Sequence, residues 1–115
     1  MRAYLAGPMR GIKDFNHPAF HAAADRLRAL GYEVRNPAEH DTVHQAADPD
    51  AARAALRECM ASDLAWIAAH ADAVVVLPGW EGSRGAQAEV AVARSLDLPV
   101  LPMDEVLLSS MPPTP

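Results

Sequence analysis

The chain has 115 residues, of which 50% are hydrophobic and 22% charged, the composition of one globular domain. Its 15 acidic residues outnumber its 10 basic ones, and the net charge of −5 argues against a protein that binds the nucleic-acid backbone. The single cysteine, Cys59, excludes an internal disulfide and a metal cluster held by cysteines.

A short apolar run near the start predicts a buried first strand over Ala3–Ala6. Residues 7–16 form a loop with two glycines, and Pro18 suits the first turn of the helix that follows. Gly31 ends this helix, and Tyr32–Arg35 is typical of a second short strand. The helix carries an apolar stripe at steps of three and four, formed by Phe20, Ala23, Ala24, Leu27 and Leu30.

An irregular polar segment over 38–48 precedes the second predicted helix. Asp48 followed by Pro49 is a clear helix start, and the helix runs to about His70. Its predicted core stripe consists of Leu56, Met60, Leu64, Ile67 and Ala71.

The unbroken apolar run over Ala73–Leu77 predicts a central parallel strand that is covered on both faces. Ser83 is placed to cap a third helix that runs to about Leu96. Pro99–Pro102 is typical of a fourth strand, and Asp104–Leu108 of a last helical turn.

Strands and helices alternate along the sequence, which predicts a small three-layer α/β domain of the flavodoxin- or Rossmann-like kind. We expect a mostly parallel sheet of four to five strands within one domain over 1–108, and a flexible proline-rich tail over 109–115. Ligands bind such sheets beyond the carboxyl ends of the strands, which here are 7–16, 36–44 and 77–85.

The sequence also predicts where the protein is found. The first residues lack the pattern of a signal peptide, because Pro8 and Arg10 interrupt a short apolar run. No stretch approaches the roughly 20 apolar residues that a membrane-spanning helix needs. We therefore expect a cytoplasmic protein with neither a membrane nor a nucleic-acid partner.

Glu89 is the most informative polar residue, because it lies on the apolar seam of the third helix. A carboxylate there is either buried at a cost or faces a cleft, and the nearby helix start favours its ionised form. A sheltered, ionised carboxylate is what a covalent nucleophile needs. The alternative is a glutamate at the edge of the seam that reaches solvent. The seam consists of Ala86, Val90, Ala93 and Leu96.

Two further side chains could act with this carboxylate. Asp63 is spaced by four from Cys59 and Ile67, so it flanks the core stripe of the second helix, where aspartate is a poor helix former. The alternative is a solvated residue on the helix flank. Tyr4 stands inside the first strand, and its hydroxyl needs a partner if it is buried. It either reaches a carboxylate or is an ordinary core residue.

Two loops could bind an anion. Gly7-Pro8-Met9-Arg10-Gly11 follows a strand, and its glycines and arginine suit a phosphate, although the spacing matches neither a P-loop nor GxGxxG. Gly82-Ser83-Arg84-Gly85 opens the third helix, where free N–H groups and the Ser83 hydroxyl suit an anion, or where Ser83 is an ordinary cap. Trp80 either stacks on a base or covers the core.

Histidines occur in two pairs with a spacing of four, His17 with His21 and His40 with His44. This spacing permits a metal site, but no HExxH motif is present, and unmatched histidine pairs are usually surface residues. We therefore predict no bound metal and no cofactor. Two aspartates are near these pairs in the sequence, Asp25 and Asp41.

Four segments follow one another in a specific order: YLAGPMRG at 4–11, DLAWI at 63–67, ADAVVV at 71–76 and SRGAQAE at 83–89. In this order and spacing, the chain resembles the nucleoside 2-deoxyribosyltransferase family, which includes the related 2′-deoxynucleoside 5′-monophosphate N-hydrolases. A small, phage-like branch is the most similar. The resemblance covers residues 4–101.

The resemblance implies roles for three residues in catalysis. Glu89 matches the family's catalytic glutamate, which attacks the anomeric carbon of the sugar. Tyr4 matches the tyrosine that positions this glutamate. Asp63 matches an active-site aspartate on the nucleobase side, a candidate proton donor.

The resemblance also implies a substrate-binding set. Arg10 matches the loop arginine of the monophosphate hydrolases, and Ser83 and Gly85 match phosphate contacts that a neighbouring subunit supplies there. A homodimer or a higher homo-oligomer is therefore expected. The candidate substrate-binding residues are Gly7, Pro8, Arg10, Gly11, Trp80, Ser83 and Gly85.

The expected function is cleavage of the N-glycosidic bond of a 2′-deoxynucleoside 5′-monophosphate, or transfer of its deoxyribosyl group, without a metal. A carboxylate that captures the sugar and a second group that protonates the leaving base would suffice, as in retaining glycoside hydrolysis. Two alternatives remain open: a catalytically silent nucleotide-binding or sensor domain, and an N-glycosidase that acts on NAD.

Overall fold

A computed structural model describes residues 1–109. It contains four parallel strands in the order β2-β1-β3-β4, which confirms the predicted small flavodoxin- or Rossmann-like α/β domain. The elements in chain order are β1 (Arg2–Ala6), α1 (His17–Ala29), β2 (Glu33–Arg35), α2 (Pro49–His70), β3 (Ala73–Val76), α3 (Arg84–Ser95), β4 (Val100–Pro102) and α4 (Met103–Ser109).

The sheet is covered on both faces, and the alternation of side chains along β1 decides which face each residue occupies. Ala3 and Leu5 pack on the face that α1 and α4 cover. Tyr4 and Ala6 pack on the opposite face, against α2 and α3. The Tyr4 side chain therefore points towards the two helices that carry Asp63 and Glu89.

Several predicted core residues are less buried than expected. Leu30 and Leu96 are 44% and 47% exposed, because each is the residue at which α1 or α3 ends and the chain turns away. In the core stripe predicted for α2, Ile67 is buried, but the remaining members are partly exposed. Those partly exposed residues are Leu56, Met60, Leu64 and Ala71.

The predicted tail over 109–115 differs in its start, because Ser109 is the last residue of α4. The rest of the predicted tail lies outside the described residues. Within residues 1–109, no helix has the length and apolar character required to cross a bilayer.

Gly7 marks the point where β1 leaves the sheet beside Leu77. A Cβ at this position would lie 2.9 Å from the Leu77 Cβ and 3.2 Å from the Phe20 ring. The lack of a side chain at Gly7 is therefore needed for packing between the strand ends, in addition to any role in ligand binding.

We expect Gly7→Ala to lower the free energy of unfolding by about 1–3 kcal/mol, because the added methyl group overpacks this contact. Urea denaturation measures the change. Gly82→Ala is the matched control, since nothing lies within 4 Å of a Cβ placed at Gly82. Equal effects of the two substitutions would contradict the packing argument.

Candidate active site

A cavity of about 390 Å³, here called the main cavity, opens at the carboxyl-terminal edge of the sheet, where the sequence predicts ligand binding. Its size falls in the range of small-molecule sites. The loop after β1, the middle of α2 and the start of α3 form its walls. Its lining includes seven predicted site residues: Gly7, Pro8, Arg10, Asp63, Ser83, Gly85 and Glu89.

Glu89 lines the main cavity and is 7% exposed, so the alternative of a glutamate that reaches solvent is wrong. The Tyr4 hydroxyl donates a hydrogen bond to Glu89 Oε2. Tyr4 itself is fully buried and packs beside Trp66, with ring centroids 6.3 Å apart. The strand tyrosine thus reaches a carboxylate and fixes one oxygen of Glu89 from behind the cavity wall.

Burial raises the pKa of Glu89 to about 8. The hydrogen bond from Tyr4 lowers the pKa, but burial outweighs it, and the negative charge of Asp63 raises the pKa further. Burial therefore outweighs the helix start, which was expected to favour the ionised form of Glu89. Glu89 lies in the second turn of α3, and the field of a helix end fades within the first turn.

Asp63 also lines the main cavity and is 7% exposed, which rules out the solvated flank. Arg35 Nε donates to Asp63 Oδ1 at 3.2 Å, and Arg35 Nη2 donates to Ser62 Oγ at 2.7 Å. Burial raises the pKa of Asp63, although the Arg35 charge and its hydrogen bond act in the opposite direction. Asp63 therefore holds a proton more readily than an exposed aspartate does.

The Tyr4 hydroxyl lies between the two carboxyl groups and interacts with both. Burial raises the pKa of Tyr4 well above its usual value, and the charges of Glu89 and Asp63 raise it further. Tyr4 therefore stays protonated and remains a hydrogen-bond donor. The three side chains form one buried polar group, here called the acidic cluster.

The lining of the main cavity also includes two arginines. These are Arg10 and Arg84, and neither forms a hydrogen bond or an ion pair through its side chain with any residue of the described range 1–109. Ser83 also lines the cavity, while its Oγ accepts the Ala86 N–H at 3.3 Å as the cap of α3. The structure places Ser83 and Gly85 at the cavity of their own chain, whereas the resemblance implies that a neighbouring subunit supplies them.

Two predicted binding residues do not line the main cavity. Gly11 is exposed in the loop after β1, with a positive φ of 83° and open space around its Cα. Trp80 packs against the core under α3, and the Arg94 guanidinium lies 5.9 Å from its ring centroid. Trp80 therefore covers the core, which is one of the two roles considered for it.

Sequence reasoning missed Arg35, although the register of the sheet explains its position. Arg35 pairs with Tyr4 across β1 and β2, and paired residues of parallel strands face the same side of a sheet. Arg35 therefore points towards Asp63, as Tyr4 points towards Glu89. This register could not be predicted from the sequence, because β2 has only three residues.

Sequence reasoning also missed most of the apolar lining. Leu56 and Met60 were assigned to the core, but they line the main cavity from the first half of α2. The lining residues outside the two predicted anion loops and the acidic cluster also include Phe15, Phe20, Pro37, Asp41, Val43, Cys59 and Ala86. A lining that combines apolar side chains, two arginines and the carboxyl groups of Asp63 and Glu89 suits a small anionic ligand with an apolar, planar part.

Two carboxyl groups in one cavity, both with raised pKa values and one beside an arginine, can serve as nucleophile or base and as proton donor. His17, at the start of α1, lies close to Asp41 and His44 of the segment between β2 and α2, so that three possible metal ligands come together.

Comparison with known proteins places this fold and cavity in a family. No curated protein and no solved structure matches the chain. Residues 1–102, which include every residue of the acidic cluster and both cationic loops, match a family described as "Domain of unknown function (DUF4406)". Since the match covers most of its 115 residues, the chain belongs to this DUF4406 family.

Proposed function

We propose that the protein cleaves the N-glycosidic bond of a 2′-deoxynucleoside 5′-monophosphate, or transfers its deoxyribosyl group to another base. The observation that carries the proposal is the buried Glu89, which Tyr4 holds by a hydrogen bond in a cavity that also contains Asp63. The resemblance to nucleoside 2-deoxyribosyltransferases supports the same function, because Glu89, Tyr4 and Asp63 lie in the segments on which that resemblance depends.

In the proposed reaction, a Glu89 carboxylate oxygen forms a bond to the anomeric carbon while the bond from that carbon to the base nitrogen breaks. Glu89, which is protonated in the free protein, first passes its proton by way of the Tyr4 hydroxyl to Asp63, and Asp63 donates this proton to the leaving base. Water then attacks the sugar–Glu89 ester and releases deoxyribose 5-phosphate, or a second base attacks and forms a new nucleotide. Tyr4 orients Glu89 and stabilises its ionised form. The chemistry requires no cofactor.

The phosphate is proposed to lie beside the two arginines of the main cavity. Arg10 and Arg84 line the cavity and have no ion-pair partner within residues 1–109, so both are available to an anion. The free N–H groups at the start of α3 add to this preference. The base would then lie along the apolar wall that Leu56 and Met60 form.

Incubation with each deoxynucleoside monophosphate, each deoxynucleoside and NAD, followed by chromatography of the free base, tests the proposal. Base release from a monophosphate supports it. Tight nucleotide binding without release from any substrate would favour a sensor domain, and release from NAD alone would favour an NAD glycosidase. The homo-oligomer and the cytoplasmic location stay predictions, and sedimentation analysis decides the first.

We expect Arg10→Ala to raise KM for the monophosphate by about 10–100-fold, because a charged hydrogen bond of about 1.5–3 kcal/mol is lost. KM for the corresponding deoxynucleoside should change little. Arg26→Ala is the control, since Arg26 is an exposed residue of α1 away from the main cavity. Equal losses on both substrates would contradict a phosphate contact of Arg10.

A further inference from the structure

The two histidine pairs of the sequence each contribute one residue to a single cluster beside the main cavity. His17 Nε2 lies 2.8 Å from Asp41 Oδ2, and His44 Nδ1 lies 3.5 Å from the same oxygen. All three atoms lie within 4.8 Å of one another. From this geometry we propose that His17, Asp41 and His44 bind a divalent transition-metal ion of the zinc class.

The distances suit such an ion. With metal–ligand bonds of about 2.0–2.1 Å, neighbouring ligands of a tetrahedral zinc lie about 3.3 Å apart. The contact of His44 with Asp41 already has nearly this length. The contact of His17 with Asp41 must lengthen by about half an ångström, a shift that side-chain rotation supplies.

The ligand chemistry selects the class of metal. Two imidazoles and one carboxylate suit zinc, cobalt, nickel and copper, whereas magnesium and calcium prefer sets made of oxygen atoms alone. The Asp41 side chain is 7% exposed, and its second oxygen accepts the Val43 N–H at 2.9 Å, which fixes the direction of the carboxylate. His44 is exposed and faces an open cleft, so a water molecule can reach a fourth position.

The other histidines of the two pairs are not available for this cluster. His21 Nδ1 accepts a hydrogen bond from Asn36 Nδ2 at 3.1 Å, and Asn36 is fully buried. His40 is not part of the group of ligand atoms within 4.8 Å. The sequence analysis predicted no metal because it asked whether the two histidines of one pair could share an ion. The proposed site instead takes one histidine from each pair, His17 and His44.

The backbone before His17 supports a functional role for its position. Asp14, Phe15 and Asn16 have positive φ values of 55°, 52° and 59°, so three consecutive residues other than glycine adopt the left-handed conformation. Each such residue costs about 1–2 kcal/mol, and strain of this kind collects at functional sites. This left-handed turn brings His17 to Asp41, and the Phe15 ring lies 5.7 Å from the ring of His44.

The proposed ion would join the start of α1 to the segment over 41–44. Asp41 and Val43 of that segment also line the main cavity, so the ion would hold one wall of the cavity in place. In this role the ion organises the site and takes no part in breaking the glycosidic bond. The inference stands apart from the proposed function, because it rests on residues outside the acidic cluster.

Metal titration of untagged protein, after treatment with a chelator, tests the proposal. One equivalent of Co²⁺ should produce visible absorption bands, and Zn²⁺ should displace it and raise the midpoint of thermal unfolding. His44→Ala should weaken the binding of both ions at least about 10-fold. His44 is exposed, so this variant is expected to fold, and His17→Ala provides a second test.

His70→Ala is the matched control, because His70 is an exposed histidine at the end of α2, remote from the cluster in the sequence. It should bind both ions as the unchanged protein does. Equal affinities of the unchanged protein, His44→Ala and His17→Ala would overturn the site. Glu89→Gln should leave metal affinity unaltered, so a failure of the proposed glycosidic chemistry is distinguished from a failure of the metal site.

Discussion

Replacing Glu89 with glutamine is expected to abolish base release from the deoxynucleoside monophosphate, with a loss of about 10³–10⁶-fold in kcat. Glutamine keeps the size of the side chain and can accept the hydrogen bond from Tyr4, but its amide oxygen does not form the ester with the sugar. The substitution therefore removes the proposed nucleophile while it preserves the packing of α3. Chromatographic assay of the free base measures the effect.

Glu81→Gln is the matched control, because Glu81 is an exposed glutamate in the loop just before the same helix. This variant should release base at the rate of the unchanged protein. Nucleotide binding by Glu89→Gln, measured by calorimetry, separates a lost reaction from a lost site. Base release that persists in Glu89→Gln would show that the reaction uses another nucleophile.

The same substitution is expected to stabilise the fold at alkaline pH. Folding raises the pKa of Glu89 from 4.5 to about 8, so between these values the folded protein holds a proton that the unfolded chain has lost. The free energy of unfolding therefore falls as the pH rises from 4.5 to 8. The full shift corresponds to about 5 kcal/mol, a large part of the 5–15 kcal/mol of a typical domain.

Urea denaturation of the unchanged protein and of Glu89→Gln at several pH values measures this effect. Near pH 4.5 the two proteins should differ little, because Glu89 is protonated in the folded state and half-protonated in the unfolded state. At pH 8.5 the glutamine variant should be the more stable by several kcal/mol. A stability difference that does not depend on pH would show that the Glu89 carboxyl is not desolvated as described.

Spacing along the sequence singled out Glu89 and Asp63 as candidates, and the resemblance implied that Tyr4 positions Glu89. The steps of three and four along α3 place Glu89 among buried residues, whereas the apolar run of β1 left open whether Tyr4 reaches a carboxylate. The period of a helix indicates which side chains face the core even when the packing partners of that helix are unknown. The structure shows that Tyr4 and Glu89 meet, because both side chains pack on the face of the sheet that α2 and α3 cover.

The rest of the site could not be predicted in this way. Arg35 reaches Asp63 because of the register between β1 and β2, and a strand of three residues contains too little pattern to indicate a register. The segment over 38–48 has no apolar period, so the meeting of Asp41 with His17 depends on tertiary packing. Leu56 and Met60 have the spacing of core residues and line a cavity instead.

The two halves of α2 differ in how firmly the rest of the molecule holds them. The first half, over 49–62, has no fully buried residue, whereas the second half is anchored by Asp63 and Ile67. Amide hydrogens in the first half should therefore exchange with solvent through local opening, at a free energy well below that of global unfolding. The part of the main cavity that Leu56 and Met60 line is thus its most easily deformed part, and it can change shape without local opening of the second half of α2, which carries Asp63.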